Sequence, residues 1–546
     1  MDGLGSTLIH GGRVFTARRV DPWVEAVVIR GSHVSAVGPV ADLRAGFPDA
    51  TMLDVGGRTV LPGFIDAHNH FLSTGESLAS VNLRYPGAAS LDDVLRLLAA
   101  EARRTVAGGW ITGHGFDDAK YDRPLSRWDL DAVSARHPIR VHHVSGHHVV
   151  VNSAALDRRG VTDDTPDPAG GRLVRGPDGR LTGECLDAAM NLILPVSVDI
   201  GSHGPNFHTE LALDDAVAAV ERAGRAFLAA GLTTVCDAQV TSRELTAYRE
   251  ARRLNRLPVR TVCMPLSSHL DDPIEPDLAP QSGDDHLWIG AMKFYADGSL
   301  IGGTASFTEP YGTDREFTGS MYWSAQDLRD MIGRAHLAGW QVGVHVQGDR
   351  AMSMVLDALE AAVERAPRDH RHRLEHAGFV TPELLGRIAR LGAVTVNQPN
   401  YLRDSGDDFL ARLGDRAHRL QPLRDEIDAG ITVVLSSDSD VTSYRPLDTI
   451  RNALERQTLA GVPIGPGQEL TLDEALRAHT INAAYALGME DRIGSLEEGK
   501  LADLVVVDGD LATTPARDTA GLDIWLTLLD GEARHALGPA ASGAQG

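Results

Sequence analysis

His68 and His70 stand two residues apart at the close of an apolar run, Val60-Leu61-Pro62-Gly63-Phe64-Ile65-Asp66-Ala67. On a strand, residues two apart project to one side, so both imidazoles face the same point and suit two ligands on one metal. An HxH pair is weak alone in a chain of 22 histidines, where it also arises by chance. Its place after an apolar strand adds weight, because catalytic groups of a parallel barrel gather at the C-terminal ends of the strands.

Further downstream come Lys293, His345, His376 and Asp438, each at the end of another apolar run. Lys293 lies within Met292-Lys293-Phe294-Tyr295, where a buried ammonium would cost several kcal/mol unless paired. Either a carboxylate pairs with it, or the amine loses its proton and takes up carbon dioxide as a carbamate, an anionic ligand able to bridge two metals. Only Lys120, Lys293 and Lys500 are lysines among 52 basic residues, so a lysine kept here against a general drift to arginine is informative. A guanidinium cannot do this chemistry because it does not lose its proton. His345 and His376, each a core histidine if taken singly, together offer neutral imidazoles of the kind zinc favours. Asp438 could ligate a metal and take a proton from bound water. Asp440 is its nearest competitor and reads as a residue that fixes the loop.

These residues need elements to hold them. Short apolar strands are expected at Val60 to Ala67, Thr233 to Asp237, Val259 to Met264, Ile289 to Tyr295, Gln341 to His345, Arg373 to His376, Val394 to Asn397 and Thr432 to Ser436. Amphipathic helices fit Leu91 to Val106, Asp214 to Ala230, Ala325 to Ala338, Ala351 to Arg365 and Thr471 to Tyr485. Alternation of this kind predicts an α/β fold built of parallel βα units, compatible with a (β/α)8 TIM barrel over residues 61–485. The β-rich runs at 7–15, 24–37 and 501–507 predict a small β-sandwich domain from both termini, residues 1–60 and 486–546. Residues 75–210 are long for one connection and read as an insertion over the barrel mouth, with a strand at Arg140 to Val144 and a turn-rich stretch from Pro166 to Gly179.

Composition bounds the rest. The chain has 546 residues, 43% hydrophobic and 23% charged, with no apolar run long enough to span a membrane and no basic-then-apolar leader. A cytoplasmic location is expected. Cys185, Cys236 and Cys263 form no CxxC pair, which argues against a disulfide framework or a zinc knuckle. The formal charge of −23 repels nucleic acid and anionic membranes at long range. Exposed edges of the terminal β-domain could serve a homodimer.

Taken together, Leu61 to His70, Lys293 to Leu300, His345 to Ala351, Glu375-His376 and Glu498 to Val505 resemble the amidohydrolase 3 branch of the amidohydrolase superfamily. That is the YtcJ-like group that includes the N-substituted formamide deformylases. The resemblance spans nearly the whole chain. It implies a metal-dependent barrel in which His68, His70, His345, His376 and Asp438 hold one or two divalent ions, with zinc the default and Lys293 a carbamylated bridge of a binuclear centre. It further implies hydrolysis of a linear amide, of the N-formyl or N-acyl amine class, by a metal-bound hydroxide with Asp438 as proton shuttle. A deaminase or cyclic-amide hydrolase on the same barrel is the alternative, and a metal-binding protein without turnover a more distant one. Ser145 to Ser153 resembles a family stretch that reads DGHxxWVNS, with Ser145 in place of the Asp and Val150 in place of the Trp. Both changes are expected to alter the pocket. His147 within this stretch is a further catalytic candidate, and Asp187 stands where many relatives carry Glu.

Overall fold

Nine strands buried along their whole length, or nearly so, account for the apolar runs that end in ligand-type residues. In the computed structural model, which describes residues 5–168, 171–187, 189–275, 278–312 and 316–538, these strands lie parallel in two groups. Phe64–Asn69, Leu232–Val240, Arg260–Pro265 and Leu287–Ile289 are neighbours in one sheet. Met292–Tyr295, Val342–His345, Arg373–Glu375, Val394–Asn397 and Val433–Leu435 follow in order in the second. Strands covered on both faces read as continuous hydrophobic runs, because neither face meets water. The cover is helical. Asp349–Arg365, for example, turns Met352, Val355, Leu356, Leu359 and Ala362 inward at three- and four-residue spacing.

Two expected elements are each divided in two. The run Ile289 to Tyr295 is not one strand: Leu287–Ile289 pairs with Arg260–Pro265, whereas Met292–Tyr295 pairs with Val342–His345. The chain crosses between the sheets at Gly290, where a Cβ would stand 2.8 Å from Val262 Cγ1. The helix expected at Thr471 to Tyr485 is likewise two, Leu472–Ala478 and Ile481–Leu487. It breaks where the His479 carbonyl accepts the Ile65 backbone N–H at 2.8 Å and is thereby committed to a strand.

Strands from both ends of the chain share one six-stranded sheet, in which Thr59–Pro62 lies between Arg13–Phe15 and Leu504–Val507. A four-stranded sheet of Ser6–His10, Ala26–Arg30, His33–Gly38 and Thr51–Asp54 packs against it through Ile9, Val27, Val60, Val506 and Leu526. Arg260 ties this layer to the parallel strands. Its guanidinium, 1% exposed, donates to Asp503 Oδ2 at 2.6 Å and to Asp503 Oδ1 at 2.9 Å, and also meets Asp530.

The long connection after the first parallel strand holds a sheet of six strands, ordered Gly171–Arg175, Leu181–Asp187, His148–Val151, Ile139–His143, Ile111–Phe116 and Val81–Asn82. Only one of these was expected, because most are short and rich in polar residues. Ile111, Ile139 and Val141 pack onto Leu83, Val94 and Leu98, so the alternate residues of the two central strands face the other way. The side chain of Asp187, and Ala169 and Gly170 of the turn-rich stretch, lie outside the described residues. No described helix is long and apolar enough to cross a membrane.

Replacing Arg260 by Met strands the buried Asp503 carboxylate without its cation. Loss of one partner of a buried pair costs about 3–5 kcal/mol, so the urea midpoint of Arg260→Met is expected well below that of the parent. An unchanged midpoint would show that the pair does not hold the two layers together.

Candidate metal centre and active site

The first and last parallel strands meet at a seam of polar bonds, and the centre is built on it. Asp438 N–H donates to the His68 carbonyl at 2.9 Å, and His70 N–H donates to the Ser439 carbonyl at 2.5 Å. Below these, Asp66 accepts from Ser437 N–H at 3.0 Å and from Ser437 Oγ at 2.5 Å. The result sets Asp438 Oδ1 3.4 Å from His68 Nε2 and 3.2 Å from His70 Nε2. One ligand atom from each of the three residues lies within 4.8 Å of the others. Asp438 Oδ1 is buried without a hydrogen-bond partner among the described residues. A carboxylate oxygen left so, faced by two imidazole nitrogens, fits a divalent cation of the kind held by His and Asp.

Lys293, His345 and His376 stand beside this triad, and all six residues line one cavity of about 440 Å³. Lys293 Nζ lies 3.5 Å from His68 Nε2 and 4.6 Å from the centre of the Tyr295 ring. No carboxylate approaches it within 4.0 Å among the described residues, and burial lowers its pKa to about 8. The histidine rings form a chain, with His376 4.8 Å from His68 and 4.6 Å from His345. Each of these three anchors one nitrogen. His376 Nδ1 donates to Gln398 Oε1 at 2.8 Å, His345 Nε2 to the Gly298 carbonyl at 3.2 Å, and His68 Nδ1 to Glu375 Oε2 at 2.6 Å. The other nitrogen of a neutral His376 or His345 ring therefore keeps a free lone pair. Burial lowers His376 to about 3 and holds His345 well below the ordinary imidazole range, so both are neutral at pH 7.

Several residues of the site carried no expected role. Glu375 is completely buried and accepts two bonds from Arg373, Nε at 2.7 Å and Nη2 at 2.9 Å, as well as the one from His68. Burial opposes its ionisation, but Arg373 and His68 outweigh that and keep the carboxyl well below the usual range. Glu375 has room for its carboxylate because residue 343, opposite Arg373 in the neighbouring strand, is glycine: a Cβ there would sit 2.8 Å from Glu375 Oε1. The signal was present in Arg373-Leu374-Glu375, two charges of opposite sign on one face of an apolar strand. Tyr401 donates its hydroxyl to Asp438 Oδ2. Burial alone would raise Asp438, yet the facing imidazoles of His68 and His70 bring it well below the normal value. Asp297 accepts the backbone N–H groups of Ser306, Gln347 and Gly348 at 2.8 to 3.0 Å and so fixes the loops beside His345.

Asp440 accepts from Ser73 Oγ at 3.1 Å and stands outside the triad. His147 is buried and lines the same cavity, its backbone N–H held by Ser145 Oγ at 3.2 Å. The two substitutions in its stretch differ in effect. Ser145 faces the cavity, whereas Val150 packs into the apolar layer of the inserted sheet beside Val141, so Val150 does not reshape the pocket as expected.

The chain is similar to known proteins over nearly its whole length. The family model described as "Amidohydrolase family" matches residues 51–535, and an imidazolonepropionase-like composite domain of bacteria matches residues 26–50. The chain is 32% identical to the N-substituted formamide deformylase of Arthrobacter pascens, over 98% of this chain and 99% of that protein. It is 29% identical to the putative amidohydrolase YtcJ of Bacillus subtilis, over 96% and 98%. Among solved structures, an uncharacterized metal-dependent hydrolase from Pyrococcus horikoshii superposes with a TM-score of 0.75 at 24% identity, covering 94% of this chain and 99% of that one.

If Glu375 sets the tautomer of His68, its loss weakens a ligand without removing it. Glu375→Gln is expected to lower metal affinity by about 10- to 100-fold, read from competition with a chromophoric chelator. An unchanged affinity would show that His68 is oriented by packing alone.

Proposed function

Because the chain belongs to the amidohydrolase family, a hydrolase of carbon–nitrogen bonds, we propose that its substrate is a linear amide of the N-formyl or N-acyl amine class. The observation that carries this reading is the buried His68, His70 and Asp438 triad beside an unpaired, desolvated Lys293. The named activity of the Arthrobacter relative, matched over nearly its full length, supports the substrate class.

In this reading the two groups of parallel strands are one (β/α)8 barrel over residues 61–485, with Leu287–Ile289 and Met292–Tyr295 together making one of its eight strands. The bridge between Leu266 and Lys293 supports continuity at one junction, and the bond from Asp438 to His68 supports it at the other. Residues 1–60 and 486–546 form a second, β-rich domain. His68, His70 and Asp438 hold a divalent ion, with zinc the default for this donor set. His345, His376 and Lys293 complete a second position. With a pKa of about 8, roughly a tenth of Lys293 is neutral at pH 7. Its lone pair adds to the carbon of carbon dioxide, and the ammonium proton departs to solvent.

A divalent ion at this site supplies Lewis acidity toward the amide carbonyl and makes a water molecule more acidic. The protein's own groups do the rest. Asp438, aimed by the Tyr401 hydroxyl on Oδ2, takes the proton of the attacking water and returns it to the departing nitrogen. His147 reaches the cavity from the inserted segment and hydrogen-bonds the carbonyl oxygen. Glu375 and Gln398 keep the imidazole lone pairs of His68 and His376 toward the cavity.

Asp438→Asn is expected to retain metal while kcat on N-substituted formamides and N-acyl amines falls by about 100-fold or more. Elemental analysis and release of carboxylic acid with amine in equal amounts test this together. Ammonia released without an acid would move the reading to a deaminase, and full activity of Asp438→Asn would end the proton-shuttle role. Protein prepared with bicarbonate should hold two ions per chain and Lys293→Ala one; equal contents would rule out the carbamate bridge.

A further inference from the structure

The wall of the cavity contributed by the inserted sheet carries an arginine with no carboxylate in direct contact among the described residues. Ile111–Phe116 and Ile139–His143 run parallel with Thr112 opposite Arg140 and His114 opposite His142, and these four residues line the cavity that holds the metal-ligand cluster. Arg140 donates Nε to Thr112 Oγ1 at 3.0 Å, and its guanidinium lies 5.5 Å from the Trp110 ring. Neither of its Nη groups has a hydrogen-bond partner among the described residues. Arg84 and Arg222 line the same cavity and give Nη1 to neutral acceptors, the carbonyls of Val441 and Gly75, each at 2.7 Å.

None of these three arginines has a carboxylate within 4.0 Å among the described residues, in a chain whose net charge is −23. Of the acids that line the same cavity, Glu76 is paired with Arg243 Nη2 at 2.8 Å, and Glu101 is paired with Arg104. Asp440 accepts from Ser73 and faces His114 Nδ1 at 3.7 Å, while Asp215 lies beyond 4.0 Å of all three arginines. Desolvation lowers the pKa of Arg84 and Arg140 by more than the surrounding acids, Asp440, Asp404 and Asp117 for the first and Glu76 for the second, raise it. The stacked rings of His114 and His142, 4.4 Å apart, are neutral at pH 7, since burial lowers His114 to about 4 and His142 well below its usual value. A cavity-lining guanidinium whose two terminal nitrogens have no partner among the described residues can take a carboxylate end-on, through two parallel charge-assisted bonds.

We propose that the amide cleaved here carries a carboxylate on its amine portion, and that Arg140 binds this group while Arg84 and Arg222 supply the surrounding positive field. The proposal rests on the amide-hydrolase reading of the same cavity and names its substrate more closely.

The experiment compares N-formyl ω-amino acids of increasing chain length with their methyl amides on metal-loaded protein. At least one acid is expected to exceed its methyl amide in kcat/KM, and Arg140→Gln should cut that ratio by about 10- to 100-fold. Arg140→Lys, which keeps the charge and loses the fork, should fall between the two and guards against a folding defect in the Gln variant. A preference for the methyl amides at every length, or a ratio unmoved by Arg140→Gln, overturns the proposal. If no compound is cleaved, the amide reading fails by itself, and calorimetry decides the subsite separately. Heat of binding of the acids to Asp438→Asn that disappears in Asp438→Asn/Arg140→Gln supports it; equal heats, or none, overturn it.

Discussion

The junction between residues 66–70 and 437–439 is the constraint on which the centre depends. His68 and Asp438 are far apart in sequence, yet a main-chain bond of 2.9 Å joins them directly, and Asp66 clamps Ser437 from below. This arrangement also holds Asp438 at a φ of +52° and works beside His376 at +72°. Such left-handed conformations cost non-glycine residues roughly 1–3 kcal/mol each and persist only where the surroundings over-determine them. Here the surroundings are buried strands and a bond from His376 N–H to the Val396 carbonyl at 2.8 Å, so the ligands are aimed by the backbone and their rotamers follow.

A second theme is charge balance in a dry interior. Arg373, Glu375, His68, Asp438 and Tyr401 form a continuous series in which each buried polar group answers the next. Arg260 with Asp503 and Asp530 does the same at the contact between layers. Against that background, the Lys293 ammonium and the Arg140 guanidinium, neither with a carboxylate within 4.0 Å among the described residues, border the same cavity as Asp438 Oδ1, which faces two imidazoles.

The strands that carry ligands were legible because an apolar run closing on a His, Lys or Asp is an uncommon pattern with a direct physical reading. Lys293 stood out further through the scarcity of lysine. What escaped sequence reading was set by distant partners. Ile289 to Tyr295 is apolar throughout, and only its two separate neighbours divide it. The Ala-rich stretch around Thr480 favours a continuous helix, and Ile65, more than 400 residues earlier, interrupts it. The inserted sheet was hidden because its strands alternate apolar residues with His, Arg and Thr, a pattern whose polar face looks solvated until the cavity it borders is known. Val150 shows the converse, since a residue inside a site-like motif can turn its side chain into the core.

The spread of the ligands along the chain has a consequence for biosynthesis. Until Asp438 has left the ribosome, a growing chain owns only the His68 and His70 part of the triad, and the Thr59–Pro62 strand beside them still lacks its Leu504–Val507 neighbour. Metal capture by the complete triad therefore waits until Asp438 has emerged, and a product terminated before that residue is barred from it.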